Sequence, residues 1–573
     1  MSFPLKRWNI APRAPDAHLA RYPHYDPIVI QLLYNRGVAE PDEVDIFLRD
    51  GAALLSDLKL LPDVDVAVER IVAAVARGEL IAVYGDFDVD GITGAVLLCE
   101  VLDAIGGRAV PYIPHRVEEG YGLNCGALAN LREQGVSLVV SVDCGVGAIK
   151  EISFGKEIGL DVVVIDHHQV PRDATPAVAV IDPRREDCTY PFKDLAAVGV
   201  AFRVAQALLR ACRLPGDPRI REMEERLLDL VALGTVADVV PLIGENRQLV
   251  RRGLEALNCT RRLGLRAMVE MAGLKLGSVS ASSIAYVIGP RINAAGRLYD
   301  ASASYKLLTT TNAKEAHRLA EHLEKTNQER QRLTEEALCR AREDILLKQG
   351  LPALLMVCGA EYRAGIVGLV AGKLVEEFYR PAVVVEIGQQ ESRGSARSIA
   401  ELNITQILHE CGDLLSRFGG HARAAGFALP TRNLVQFESR LQALAERELA
   451  GIELHPRLGV DCELRPSRIN WDTYQLVEMM APFGFGNPVP TFVTRNLWVA
   501  ESRKVGRDSP HLKLKLTDGH RSYGAIGFHL GEYADAVAHK RVDVVYTMES
   551  NEWNGNVALR MNVKDLRLSS DRP

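Results

Sequence analysis

The sequence predicts an α/β protein of several domains: a parallel sheet covered by helices, a long connecting helix, a second α/β unit and a small C-terminal β-barrel. Three observations carry that expectation. Runs rich in Val and Ile alternate with amphipathic helical stretches between residues 64 and 182, residues 313 to 348 contain no Gly or Pro, and residues 491 to 567 break into short alternating segments with Gly-containing turns. At 573 residues the chain exceeds what one hydrophobic core organises, so about three or four domains are expected.

In the first region the strand candidates are LIAVYG (80 to 85), VSLVVSV (136 to 142), VVVI (162 to 165) and AVAVI (177 to 181), and each runs directly into an acid: Asp86, Asp143, Asp166 and Asp182. Ligands of a doubly wound sheet bind outside the carboxyl ends of its strands, so these acids should gather at one edge. The stretch 313 to 348 is dense in Ala, Leu, Glu, Lys and Arg and reads as one helix, long enough at about 1.5 Å per residue to join two lobes. ALLMVCG (353 to 359), a helix around Gly368 to Phe378 and PAVVVEI (381 to 387) supply the second α/β unit.

Composition excludes several classes. Hydrophobic residues make up 47 % and charged residues 25 %, but no apolar stretch reaches the roughly 18 residues that span a bilayer. The N-terminus shows no basic segment followed by an apolar core, so a cytoplasmic protein without membrane contact is expected. Ten cysteines without a C-x-x-C pair fit neither a disulfide framework nor a zinc knuckle. The net charge of −6 argues against indiscriminate coating of nucleic acid but permits a local basic groove; Arg495 to Lys515 holds six Lys or Arg against two acids.

The sharpest motif is GDFDVDGITG, residues 85 to 94, three aspartates at alternate positions between a strand and a Gly-bounded helix start. An EF-hand loop counted from Asp86 would need Glu where Leu97 stands. A haloacid-dehalogenase-type phosphatase also begins strand then D-x-D, but it does not account for Asp143 in SVDCG, for Asp166-His167-His168 ending VVVIDHH, or for Asp238 in GTVADVVPL. An acid and two imidazoles closing an apolar strand are costly without polar partners, and a metal supplies them. Carboxylate with imidazole favours Mn²⁺ or Mg²⁺, and at least four carboxylates with one imidazole suffice for two divalent cations sharing a bridging carboxylate. That donor set suits phosphodiester hydrolysis.

In this order D-x-D-x-D-G, Asp143, Asp166-His167-His168 and GTVADVVPL resemble motifs I to IV of the DHH phosphoesterases. The resemblance implies that Asp86 and Asp143 hold one ion and that Asp88, Asp143, His167 and Asp238 hold the other. It also implies that His168 approaches the scissile phosphate and that Asp166 orients a histidine. Many DHH enzymes carry a further His four residues before the first aspartate; here Ala82 stands there.

From about residue 28 to 567 the chain is similar to the RecJ family. The markers are IPHRVEEGYGL (113 to 123), LAAVGVAF (195 to 202), GPRINAAGR (289 to 297), GSARSI (394 to 399), GGHARAAGF (419 to 427), PFGFGNPVPTF (482 to 492) and NEWNG (551 to 555). The resemblance implies an N-terminal segment (1–50), a DHH catalytic domain (51–312), the connecting helix (313–348), a DHH-associated substrate-binding domain (349–455) and an OB-fold domain (456–573). It implies a single-stranded-DNA-specific exonuclease that works 5′ to 3′, releases mononucleotides, and serves DNA repair and recombination beside single-stranded-DNA-binding protein and a repair helicase. Arg116, Ser395 and Arg397 would form a pocket for the 5′ phosphate, Tyr121 would stack on a base, Arg297 and His421 would contact backbone phosphates, and Lys513 would belong to the grip of the barrel on the trailing strand. The chain departs from the family at Tyr362-Arg363-Ala364-Gly365 (usually Trp-His-x-Gly), at Ala396 and at Arg560 (often Gln).

Two other functions compete with this reading. A phosphodiesterase of cyclic dinucleotides or short oligoribonucleotides would be a compact chain of two domains, and a non-catalytic replication scaffold would have lost carboxylates that are all present here.

Overall fold

The computed structural model describes residues 6–48, 55–116, 119–120, 122–212, 216–347, 350–507, 509–553 and 556–569. The chain divides into two compact units, Leu55–Leu454 and a unit that combines Met1–Leu54 with His455–Pro573.

The larger unit begins with strands β1 (Leu80–Gly85), β2 (Arg108–Tyr112), β3 (Val136–Val142), β4 (Asp161–Ile165) and β5 (Ala179–Ile181), which form an all-parallel sheet in the order β2-β1-β3-β4-β5. Four of these coincide with the apolar runs of the sequence. The fifth, β2, is the edge strand RAVPY; it pairs on one side only, so it needs neither a continuous apolar run nor an N–H donor at Pro111. Helix α1 (Val89–Ala104) crosses from β1 to β2, and α2 (Ala197–Cys212) and α3 (Pro218–Ala237) pack against it. One turn of π-helix, Ile284–Ile288, leads into α4 (Gly289–Leu298).

The predicted connecting helix is α5 (Ala313–Leu346), capped by the Asn312 side chain, which accepts from the backbone N–H groups of Lys314 and Glu315. Its first half, through Ala316, Leu319, Ala320 and Leu323, enters the core of the parallel-sheet domain. Its second half, through Ala337, Leu338, Ala341 and Ile345, enters the core of the next domain. That domain carries β6 (Leu355–Gly359), α6 (Val367–Phe378), β7 (Ala382–Glu386), β8 (Glu391–Arg397), β9 (Arg417–His421) and β10 (Ala424–Pro430), in the sheet order β9-β10-β8-β7-β6, with only β6 and β7 parallel.

The smaller unit is built on β11 (Phe492–Val505), β12 (His511–Thr517), β13 (Ser522–Gly527), β14 (Arg541–Trp553) and β15 (Asn556–Leu568). β11 pairs with both β12 and β14, and β13 with β15, so the five strands close into a barrel around Leu512, Leu514, Leu516, Val544 and Met561. The N-terminal strand Arg7–Ile10 pairs in parallel with Arg457–Val460 in this same unit. No described helix is long and apolar enough to cross a membrane.

Candidate active site

The hydrogen-bond ladder of the parallel sheet continues one residue beyond the strands and sets three acids in a row. Asp86 donates its backbone N–H to Val142 O (3.2 Å), Asp143 to Ile165 O (3.0 Å) and Asp166 to Ile181 O (3.0 Å). Asp143 takes φ 64°, a left-handed conformation that Asp adopts more readily than most residues. Asp238 enters from another direction, at the C-terminus of α3, and the β-branched Val239 after it also has φ 64°. Strained backbone therefore brackets the site at two points.

Close packing holds the first motif in place. A Cβ built on Gly91 would lie 2.7 Å from the Asp86 Cα, so only glycine lets the first turn of α1 settle on the end of β1. Asp88 caps that helix, accepting from the N–H groups of Asp90 and Gly91, and Asn293 Oδ1 accepts from Val89 N at 3.0 Å. Asp90 accepts from Ala197 N and Val198 N, both at 2.8 Å, and so ties the start of α2 to the motif. A Cβ on Gly296 would meet Phe87 O at 2.6 Å, so α4 lies directly on the motif loop. Sequence reasoning assigned no role to Asp90 or Asn293, although both lie inside motifs it picked out.

Among the described residues three groups of side chains bring ligand atoms within 4.8 Å of one another: Asp86, Asp88 and Asp143; Asp143, His167 and His168; and Asp90, His167 and Asp238. Asp143 belongs to two groups and His167 to two, so the five expected ligands converge. Asp88 groups with Asp86 and Asp143, while Asp238 groups with His167. His167 Nε2 lies 3.3 Å from Asp143 Oδ1 and 3.6 Å from Asp238 Oδ2. Asp166 accepts from His168 Nδ1 at 2.7 Å, from the N–H groups of His167 and His168, and from Val146 N.

Burial, and then the charge of Asp88, push the Asp86 and Asp143 carboxyls well above the usual carboxylate range. Burial, and then Asp90, push Asp238 up to about 9. Burial, and then His168, push His167 down to about 4, which favours the neutral imidazole. Asp166 differs: burial raises it, but the bond from His168, the charge of His168 and the Val146 N–H together hold it below its ordinary value. Crowded acids with a neutral imidazole form a donor set for hard divalent cations. Asp86 Oδ1 is buried with no hydrogen-bond partner among the described residues, a cost that a cation would remove. The residues present thus fit a pair of Mn²⁺ or Mg²⁺ ions.

Beside this cluster lies a basin of arginines. The Arg116 guanidinium sits 4.7 Å over the Phe87 ring, and burial lowers its pKa while Asp86 and Asp88 pull it back up. Burial, then the fields of Arg116 and Arg330, bring Arg297 down to about 10, with Arg397 adding to the effect. Arg397 donates to Ser395 Oγ at 2.9 Å, and a Cβ on Gly368 would come within 3.1 Å of that oxygen, so the pair lies against the first turn of α6, which has no side-chain cap. Guanidinium, hydroxyl and helix N-terminus are groups whose chemistry suits an anion. Gly365, in the divergent Tyr362-Arg363-Ala364-Gly365 segment, packs against the Arg297 carbonyl, and Tyr362 is fully buried.

Arg330 of α5 is a member of this basin that the sequence did not single out; its guanidinium is held by Asn327 Oδ1 at 2.8 Å. Its signal was hidden because Arg on a charged helix reads as solvent-facing. Glu119 is another: it accepts from His115 N, Tyr112 Oη and Asn124 Nδ2 and so clasps the loop that carries Arg116. Tyr121 lies outside the described residues. His421 is exposed at the end of β9, an edge strand, and Lys513 is exposed on β12 of the smaller unit.

Known proteins resemble the chain along its whole length. The profile of the DHH family, N-terminal domain, matches residues 80–235, that of the DHHA1 domain residues 350–447, and that of the RecJ OB domain residues 460–565. The single-stranded-DNA-specific exonuclease RecJ of Bacillus subtilis is 35 % identical over 571 residues, covering 98 % of this chain and 71 % of its own. RecJ from Thermus thermophilus superimposes with a TM-score of 0.84 in its complex with Mn²⁺, at 28 % identity over 98 % of this chain and 80 % of the other. Its complex with Mg²⁺ gives a TM-score of 0.78 at 28 % identity over 98 % and 79 %. A relative this similar over nearly all of the sequence, together with matches in all three domains, shows that the chain belongs to the RecJ family.

Proposed function

We propose that this chain is a single-stranded-DNA-specific exonuclease that removes mononucleotides from the 5′ end by metal-assisted phosphodiester hydrolysis. The observation that carries the reading is the convergence of Asp86, Asp88, Asp143, His167 and Asp238 in overlapping groups at one sheet edge. Family membership supports the substrate and the metal: the Bacillus subtilis relative is a single-stranded-DNA-specific exonuclease, and the Thermus thermophilus structures contain Mn²⁺ or Mg²⁺.

Asp86, Asp88 and Asp143 would hold one cation, and Asp143, His167 and Asp238 the other. When bound, the cations supply an activated water and neutralise charge on the phosphate and leaving oxygens. The protein contributes placement. Asp143, fixed by its backbone bond to β4, keeps the two ligand sets in register. Asp166 holds Nδ1 of His168, the more exposed ring of the pair, so that His168 is oriented toward a scissile phosphate. Arg116, Ser395 and Arg397 would anchor the 5′ phosphate, and that anchor sets which linkage meets the carboxylates. Arg297, with His421, would take backbone phosphates, Tyr121 would stack on a base, and Lys513 would help to grip the trailing strand.

The same family membership supports work in the cytoplasm in DNA repair and recombination, alongside single-stranded-DNA-binding protein and a repair helicase. Digestion of end-labelled single-stranded DNA tests the core of the reading. We expect mononucleotides to leave from the 5′ end only when Mn²⁺ or Mg²⁺ is present, and faster with a 5′ phosphate; release from the 3′ end would reject the polarity.

A further inference from the structure

Two different frames hold the expected ligand side chains. Asp86 and Asp88 are fixed from within the first motif, by the closeness of Gly91 and by the start of α1. His167 and Asp238 have no such local frame. They come from beyond β4 and from the end of α3, yet His167 Nε2 lies 3.6 Å from Asp238 Oδ2. The Asp238 turn also resists its own shape, because Val239 is held at φ 64°, a strained conformation for a β-branched residue.

One buried side chain ties both pieces together. Asn246, in the first turn of the helix Gly244–Asn258, is fully buried, and its Nδ2 donates to Pro241 O at 3.0 Å and to Asp194 O at 2.6 Å. Both amide protons are thereby spent on backbone carbonyls. Pro241 closes the strained turn that begins at Asp238. Asp194 precedes Leu195, whose backbone approaches the His167 ring as a hydrogen-bond acceptor, although neither ring nitrogen completes a bond of full geometry among the described residues. A ligating imidazole is aimed by the group that its other ring nitrogen meets, so displacing Asp194 would turn His167 as well. The same segment continues to Ala197 and Val198, whose N–H groups donate to Asp90, the third member of the group with His167 and Asp238.

The helix delivers Asn246 with little freedom. Gly244, at φ 48°, would put a Cβ 2.7 Å from the Phe192 ring, and Glu245 accepts from Tyr190 Oη at 2.6 Å. Tyr190 and Phe192 lie just before Asp194, so this turn of helix is docked on the segment that it grips.

We propose that Asn246 is a positioning residue for one cation of the pair: by clamping Pro241 to Asp194 it brings Asp238 and His167 to a common ion and leaves the Asp86 and Asp88 ligands alone. The proposal rests on the metal-assisted reading above and deepens it, because it makes the two cation sites separable.

Mn²⁺ titration of the full chain, followed by electron paramagnetic resonance, counts the ions and reports whether two lie side by side. Wild type should take up two ions with a coupled spectrum. Asn246→Ala should keep one ion at wild-type affinity and bind the other about 10–100-fold more weakly, with the spectrum of an isolated ion, while its affinity for a single strand in EDTA stays unchanged. Asn246→Ser retains one donor and should fall between. A residue that only supported the fold would weaken both ions alike; that result, or wild-type affinity for both ions in a folded Asn246→Ala protein, would overturn the clamp. Because Asn246 is buried, a measurement on wild type stands beside the variants. Amide hydrogen exchange in residues 192–198 and 239–246 should slow together at one Mn²⁺ concentration, and protection of one segment without the other would also reject the proposal. If wild type takes up a single ion, the clamp and the cation pair fail together. If it takes up two ions but leaves a single strand uncut, the exonuclease reading fails while the ion counts still decide the clamp.

Discussion

Gly91 and Asp86 share a space with no room for a methyl group: a Cβ built on Gly91 would lie 2.7 Å from both the Asp86 Cα and its carbonyl oxygen. Gly91 is an ordinary helical residue, so its requirement is for closeness alone. Gly91→Ala should push the first turn of α1 off the end of β1, moving Asp86 relative to Asp143. The expected cost is about 1–3 kcal/mol of stability, with weakened Mn²⁺ binding. Thermal unfolding and a Mn²⁺ titration measure both, and wild-type Mn²⁺ affinity in a folded Gly91→Ala protein would refute the argument.

Asp143 combines two demands, a carboxylate shared by two ligand groups and a left-handed backbone at φ 64°. Two substitutions separate them. Asp143→Asn tolerates the backbone and removes the charge, whereas Asp143→Ala also adds strain of about 1–2 kcal/mol. Both should lower single-turnover hydrolysis by at least about 10³-fold while leaving single-stranded DNA binding in place, and only Asp143→Ala should lose appreciable thermal stability. Substantial turnover by Asp143→Asn in a clean preparation would remove Asp143 from the shared role.

What could be read from the sequence depended on whether a residue acts through its own segment. Asp86, Asp143 and Asp166 were visible because each follows an apolar run, and a parallel sheet brings the ends of such runs to one edge. The long helix was visible because 34 residues without Gly or Pro have few alternatives. β2 was missed because an edge strand lacks the apolar run of a buried one. Asp90 and Asn293 could not be assigned because their partners are backbone N–H groups 107 and 204 residues away, and only tertiary packing makes them neighbours. Arg330 was hidden by a charged helix whose pattern suggests solvent, although burial there lowers its pKa.

Glu119 joins the sheet to the loop that bears Arg116. It accepts from the His115 N–H and the Tyr112 hydroxyl, both at 2.7 Å, and from Asn124 Nδ2 at 3.1 Å, and Asn124 in turn caps the following helix. Glu119 is therefore a positioning residue for the expected phosphate anchor. Glu119→Ala should raise KM for 5′-phosphorylated single strands about tenfold, the order of one lost charged hydrogen-bond network, with little change for strands bearing a 5′ hydroxyl. Mn²⁺ affinity should stay as in wild type. An equal rise in KM for both strand types would show that Glu119 serves the fold rather than the anchor.

The carboxylate cluster makes metal removal a test of stability as well as of turnover. Asp86 and Asp143 are almost fully buried beside Asp88 and Asp90, and mutual repulsion adds to the cost of burying them. Bound Mn²⁺ should therefore raise the unfolding free energy by about 2.7 kcal/mol when the free ion is at a hundredfold excess over its Kd, and the unfolding midpoint with it, and EDTA should reverse the gain. Asp86→Asn removes one charge and one ligand together, and comparing EDTA with Mn²⁺ separates repulsion from ligation. In EDTA this variant should be more stable than wild type by on the order of 1 kcal/mol, about 2–4 °C in a domain of 150–250 residues. In Mn²⁺ it should gain less than wild type, so the order of the two proteins reverses when metal is added. If Asp86→Asn is the less stable protein in both buffers, its carboxylate belongs to the fold and the cation site must be sought elsewhere along the sheet edge.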